Sequence, residues 1–313
     1  MKYQTHIAIP VIDGPYRRVY TPAPDVYRGI QTENFTPGER YGDWIANDFS
    51  LLKARDGVWH AIGITHPRPP RFVDAFDFDL SNVHEAENQL FHATFRGSLR
   101  ELYAGGAMEE QEKLLYPQER PGERPECWAP AVFPTAEGYG MLYSPEVMHY
   151  ADSADLYHFT PRTALFSGCA GMRDPFVFSE DGVYHILYND GEVLWRRTTT
   201  DFQTVSEPQL LQHNGFGKEV AMESPSLIRR GGMYYLLWCV CDGQNGCYDN
   251  RTYVFAAPSL DELDGKAPLT VLRGHAPELV CDADGQWYIA SVFYPENGLS
   301  LAPIRWEDAY AGV

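Results

Sequence analysis

Long apolar runs are missing from this chain of 313 residues. Nowhere do eighteen apolar residues follow one another, so no membrane-spanning helix is expected and the membrane is excluded as a partner. Basic residues are scarce. Lys and Arg total 25 against 43 Asp and Glu, a formal net charge of -18. Nucleic acid is thereby excluded, because phosphate recognition needs a basic footprint. Cysteine is sparse as well: Cys127, Cys169, Cys239, Cys241, Cys247 and Cys281 follow no zinc-ligand spacing. Free thiols suit a reducing compartment. Met1 to Pro10 carries one Lys and no apolar stretch of signal-peptide length. The expectation is a cytoplasmic protein of undefined oligomeric state.

Aromatic residues are abundant, with 20 Tyr, 16 Phe and 7 Trp, as strands and sugar-binding surfaces both require. A pattern built from them recurs five times along the chain. It runs from a polar or small residue, usually followed by Pro, through an apolar stretch and a polar turn to a second, aromatic-rich strand. The copies are NDFSLLKARDGVWHAIGI from Asn47, WAPAVFPTAEGYGMLY from Trp128, RDPFVFSEDGVYHILY from Arg173, ESPSLIRRGGMYYLLW from Glu223 and HAPELVCDADGQWYIA from His275. Their turns end on Gly57, Gly138, Gly182, Gly232 and Gly285, where glycine supplies the positive φ of a tight hairpin. Five hairpins spread over the whole length predict an all-β chain forming a single five-bladed β-propeller over residues 1–313. Residues 1–40 read as a Pro- and Tyr-rich lead-in that helps close the ring. Residues 95–126 contain GSLRELYAGGAMEEQEKLL, with helical character, and PQERPGERPE, a loop; they read as an insertion between blades 1 and 2.

Equivalent positions of a propeller converge on its axis. The start of each inner strand opens onto one end of the channel, which brings Asn47-Asp48, Trp128-Ala129, Arg173-Asp174, Glu223-Ser224 and His275-Ala276 to one pocket. Three crowded carboxylates raise each other's pKa. That is how a fold obtains a protonated acid beside an ionised base at neutral pH, the pair that glycoside hydrolysis uses.

These motifs resemble those of the five-bladed propeller glycoside hydrolases, the superfamily of families 43, 62, 32 and 68, from about Trp44 to Trp306. Asn47-Asp48 resembles the first-blade Asp motif, whose carboxylate is nucleophile in families 32 and 68 and general base in family 43. Arg173-Asp174-Pro175 resembles the third-blade RDP element. The resemblance implies that Asp174 orients substrate and tunes the acid, and that Arg173 contacts sugar hydroxyls. Glu223-Ser224-Pro225 resembles the motif supplying the general acid, and Trp128-Ala129-Pro130 is similar to the second-blade WAP element of family 43. His275-Ala276-Pro277-Glu278 is similar to the region where family 43 often places a calcium-binding His. Two departures stand out. Phe49 follows Asp48 where family 32 usually has Pro, and the chain has no room for that family's C-terminal β-sandwich.

The expected catalytic residues are therefore Asp48, Asp174 and Glu223. Asn47, Arg173, Trp128, His275, Glu278, Trp44 and His92 are the expected substrate-binding set. His66 and His84 lie near His92 in the sequence and read as satisfied histidines. The resemblance implies an exo-acting hydrolase releasing a terminal arabinofuranosyl or fructofuranosyl residue from an oligosaccharide. No cofactor is required, and a structural calcium in the channel is allowed. Retention and inversion both stay open, as does a carbohydrate-binding propeller without turnover. A glycoside phosphorylase would need a basic cluster for phosphate, and Arg173 alone does not supply one.

Overall fold

A computed structural model describes residues 7–69, 83–217, 220–241, 250–293 and 296–309; Cys247 and the first six residues of the lead-in lie outside them. The hairpins expected from the repeats are the two inner strands of five antiparallel sheets. Blade 1 holds Trp44–Lys53, Val58–Pro67, Leu90–Arg96 and Glu109–Glu110. Blade 2 holds Trp128–Pro134, Tyr139–Ser144, Val147–Ser153 and Thr160–Ser167, and blade 3 Arg173–Glu180, Val183–Asn189, Val193–Thr199 and Gln209–His213. Blade 4 is built of Ala221–Arg230, Met233–Cys241, Arg251–Ala257 and Thr270–Arg273. The protein is an all-β, five-bladed propeller.

Blade 5 joins the two ends of the chain. Its inner three strands are His275–Cys281, Trp287–Phe293 and Glu296–Ala309, and the fourth is Ile7–Ile12, paired from Ile7 opposite Ala309 to Ile12 opposite Ile304. The lead-in thus closes the ring by supplying the outer strand of a sheet whose other strands come from the far end of the chain. Further along, Tyr27 and Phe35 pack on Trp44.

Apolar side chains fill the five seams between neighbouring blades. Phe49, Phe91 and Tyr288 mark the seam of blades 5 and 1; Met141 and Tyr143 that of 1 and 2; Ile186 and Phe202 that of 2 and 3. Trp238 and Phe255 fill the seam of blades 3 and 4, and Leu237 and Ile289 that of 4 and 5. Burial on both faces explains why second strands such as MYYLLWCVC read as continuous apolar runs rather than alternating ones.

Four of the five turn glycines have the expected positive φ: Gly57, Gly182, Gly232 and Gly285, between 79° and 86°. Gly138 does not; it is needed because an added Cβ would meet the Ser153 carbonyl oxygen at 2.4 Å. Residues 95–126 contain the two-residue outer strand of blade 1 and one short helix, Leu99–Tyr103. Ser98 and Glu101 cap that helix reciprocally, and it buries Leu99 and Leu102 against blades 5 and 1.

Candidate active site

Every inner strand starts with the same irregularity. Across Asn47 to Phe49, Trp128 to Ala131, Arg173 to Phe176, Glu223 to Ser226 and His275 to Glu278, the inner strand carries one residue more than its partner. These are β-bulges, which re-aim side chains and are common beside active sites. The second residue of each repeat sits in the bulge. In blades 2 to 5 it is left-handed, with φ of 43° at Ala129, 55° at Asp174, 49° at Ser224 and 45° at Ala276, and Pro follows each time. Non-glycine residues pay of order 1–2 kcal/mol for that conformation. Blade 1 departs from the rule: Phe49 follows Asp48, whose φ is not positive.

The bulges bring Asp48, Asp174 and Glu223 together around two cations. Asp48 Oδ1 accepts from Ser224 Oγ at 3.2 Å and lies 3.3 Å from His275 Nε2. The other nitrogen of that ring, Nδ1, is 3.8 Å from Glu223 Oε1 and 3.3 Å from Cys239 Sγ. Arg173 stands between the remaining pair, with Nε 3.4 Å from Asp174 Oδ2 and Nη2 3.7 Å from Glu223 Oε2. Asp174 Oδ2 also accepts from Asn189 Nδ2 and from the Ser224 amide, both at 3.1 Å. A small space next to these groups is lined by Asp48, Asp174 and Ser224.

Burial sets the electrostatics. It drives Glu223 up to about 7; His275 and Arg173 pull the other way, and the Asp174 and Asp48 charges add to the rise. Asp174 is raised by burial and by Asp48 against the pull of Arg173. Burial opposes charge on the His275 ring, yet Cys239 and Asp48 outweigh it and hold the ring well above the ordinary histidine range. The Arg173 guanidinium and the His275 ring beside the three carboxylates, with Glu223 shifted toward its neutral form, are the arrangement that makes buried carboxylates tolerable.

Other expected site residues are placed differently. Asn47 is buried at the entry to the blade 1 bulge. Trp128 is half-buried, its ring 5.5 Å from that of His84. His275 is fully enclosed and touches the carboxylates. Trp44 lies at zero exposure in the cluster with Tyr27 and Phe35, under the Lys113 ammonium. His92 is equally buried, 2.9 Å from His60 in the third strand of blade 1. Neither Trp44 nor His92 is brought to the carboxylates. Glu278 lies further down the axis, where its Oε2 accepts from the Leu51 amide at 2.8 Å.

Sequence reasoning brought Ser224 to the pocket without giving it a role, and left out two participants, Asn189 and Cys239. Ser224 occupies the repeat position of Asp48 and Asp174, so the repeat itself was the signal for it. Asn189 and Cys239 sit on second strands opposite Arg173 and Glu223, in runs whose apolar character gives no warning.

No known sequence family matches the chain, and no curated protein does. Solved structures do. The catalytic domain of a family-62 α-L-arabinofuranosidase from Coprinopsis cinerea superposes with a TM-score of 0.60 at 16% identity, covering 94% of this chain and 97% of that one. An endo-arabinase from Bacteroides thetaiotaomicron gives 0.59 at 13% identity, over 86% and 95% of the two chains. A sucrose-6-phosphate hydrolase from Lactobacillus gasseri gives 0.59 at 14%, over 84% of this chain and 59% of that one. The fold is that of the five-bladed propeller glycoside hydrolases. Identities this low carry the architecture of these hydrolases and nothing finer.

The likeness to this propeller class raises the question of calcium. Such an ion takes about six to eight oxygen ligands. Below the carboxylates the axial layer offers Glu278 with the hydroxyls of Ser50 and Ser226. Those hydroxyls already donate to the carbonyl oxygens of Pro130 and Pro277. Among the described residues, no group of three or more His, Cys, Asp or Glu is arranged to hold a metal.

Proposed function

We propose that the protein is an exo-acting glycoside hydrolase releasing a terminal furanosyl residue, arabinofuranosyl or fructofuranosyl, from an oligosaccharide. The observation that carries this reading is the pairing of Glu223, buried and raised to about 7, with Asp48, both in contact with the one His275 ring. Glu223 in its protonated form donates to the glycosidic oxygen as the bond to the leaving group breaks. Asp48, held by the Ser224 hydroxyl, attacks the anomeric carbon or takes the proton of an attacking water. Carboxyl groups about 5–5.5 Å apart would make it the nucleophile, and about 6.5–9.5 Å the base. Asp174 and Arg173 anchor sugar hydroxyls, and Trp128, half-buried beside its bulge, offers a ring face to the sugar. His275, enclosed as it is, works through the two carboxylates. A net charge of -18 favours a neutral glycan.

The test is sugar release from a panel of furanosides and pyranosides by the wild type, Asp48→Asn and Glu223→Gln. The expected result is cleavage of one furanoside, with both variants folded and slowed by about 10²–10⁴. Binding of a sugar without cleavage of any would replace the hydrolase with a carbohydrate-binding propeller.

A further inference from the structure

Two rings stand together on the rim of blade 4, outside the carboxylate cluster. Phe216 stacks on Tyr253 with ring centroids 4.2 Å apart and planes 28° from parallel. Phe216 is 37% exposed, and Val271, directly across the ladder from Tyr253, is 47% exposed. They are two of the four large apolar side chains recorded as exposed among the described residues. Stacked rings with part of their area open are suited to contact with the apolar face of a ligand.

The loop that carries Phe216 is pinned. The Phe216 amide donates to Asn214 Oδ1 at 3.0 Å, and the Asn214 side chain donates to the Val220 carbonyl oxygen. The Asn214 amide donates to Glu192 at 2.8 Å, and the Met222 amide to Gly191 at 2.9 Å. Val220 leads into the strand bearing Glu223. Phe216 therefore lies at the end of the propeller where the carboxylates gather. Pairing fixes the separation. Glu223 is opposite Cys239, and Cys239 opposite Thr252, so Tyr253 stands two strands outward from the acid, about 10 Å by strand spacing.

We propose that the Phe216–Tyr253 pair is an outlying sugar subsite, which stacks a neutral sugar unit of the leaving-group portion of the substrate. It rests on the hydrolase reading for the identity of that portion. An exo-acting pocket at the axis takes the terminal residue, so the remainder of the chain must leave across the rim. The ring pair lies on one such radial line, above the seam of blades 3 and 4. Its open face offers the apolar area that the C–H face of a pyranose or furanose covers, and the chain's charge of -18 selects against acidic glycans.

The experiment compares wild type, Phe216→Ala and Phe216→Trp by two readouts. The first is the ratio of kcat/KM on a neutral oligosaccharide of five or more units to kcat/KM on the 4-nitrophenyl glycoside of the released sugar. It should fall about tenfold in Phe216→Ala, through KM on the long substrate, and recover in Phe216→Trp. The second is retardation in native gels cast with arabinoxylan or with inulin, which needs no turnover; Phe216→Ala should lose it. An unchanged ratio overturns the proposal, as does an equal loss on both substrates. So does wild-type migration that neither polysaccharide slows, or a Phe216→Ala variant whose only change is its oligomeric state by size exclusion. Absence of hydrolysis on every glycoside would sink the hydrolase reading, and the gels would still decide the subsite.

Discussion

Replacing Glu278 with Gln should stabilise the protein in alkaline solution and leave it almost unchanged in acid. Glu278 lines the axial channel with Ser50, Phe176 and Ser226. Burial raises its carboxyl to about 8, and the hydrogen bond from the Leu51 amide opposes that rise without cancelling it. In the unfolded chain the same group titrates near 4.3. Between those values the folded protein keeps a proton that the unfolded chain has released, so stability falls as pH rises through this window. The full shift is worth roughly 4–5 kcal/mol above pH 8. Channel water reaching the partly accessible side chain screens part of it, which leaves about 2 kcal/mol.

Gln keeps an acceptor oxygen for the Leu51 amide and cannot ionise, so the variant escapes the penalty. At about 2–3 °C per kcal/mol for a chain of this size, its Tm should exceed that of the wild type by about 4–6 °C at pH 9. The two should coincide within about 1 °C at pH 5, where Glu278 is protonated and nearly isosteric with Gln. Differential scanning calorimetry at pH 5, 7 and 9 reads this directly. A gap that stays constant with pH, or a variant less stable than wild type at pH 9, would show that Glu278 is not a buried neutral carboxyl.

Two further outcomes follow from the same electrostatics. Glu223 must carry its proton to act as acid, so kcat/KM on a cleaved furanoside should fall on the alkaline side with an apparent pKa near 7; a profile flat from pH 6 to 9 would remove Glu223 from that role. His275→Gln should cost about 3 kcal/mol, because it strips a buried cation from Asp48 and Glu223. The raised pKa of His275 means this contribution is complete below about pH 6.5 and is lost as pH climbs through its folded value. Thermal unfolding should therefore separate the variant from wild type more at pH 6 than at pH 10, and the reverse order would refute the assignment.

The five inner hairpins were legible because each begins and ends with punctuation that the chain needs locally, Pro after the bulge and Gly in the turn. The outer strands were not. Glu109–Glu110 pairs on one side only and Thr160–Ser167 is largely exposed, so neither carries an apolar period to read. Ring closure was expected of the lead-in, but the choice of Ile7–Ile12 depends on a partner at the other end of the chain, which no local pattern encodes. In the site, repeat equivalence located the three carboxylates, Arg173 and His275. Residue type alone singled out Trp44 and His92, and what fixed their surroundings was packing: an aromatic cluster in one case and His60 in the other.

Why the chemistry comes in consecutive pairs has a geometric answer. In a regular strand, neighbouring side chains point to opposite faces, so Arg173 and Asp174 could not both face Glu223 and Asp48. One extra residue breaks the alternation and lets two successive side chains turn toward the axis. Arg173 then reaches Asp174 and Glu223 together, while Glu223 meets His275 as Ser224 meets Asp48. The bulge also breaks the ladder locally, and proline, lacking an N–H, is suited to the place that follows. It fills that place in four blades. In the first blade Phe49 does so, and its ring packs into the seam of blades 5 and 1 beside Ala276. Asp48 is therefore tethered to the fifth blade twice, through Phe49 and through His275. That double tether is what ties the position of Asp48 to the joint where the two ends of the chain close the ring.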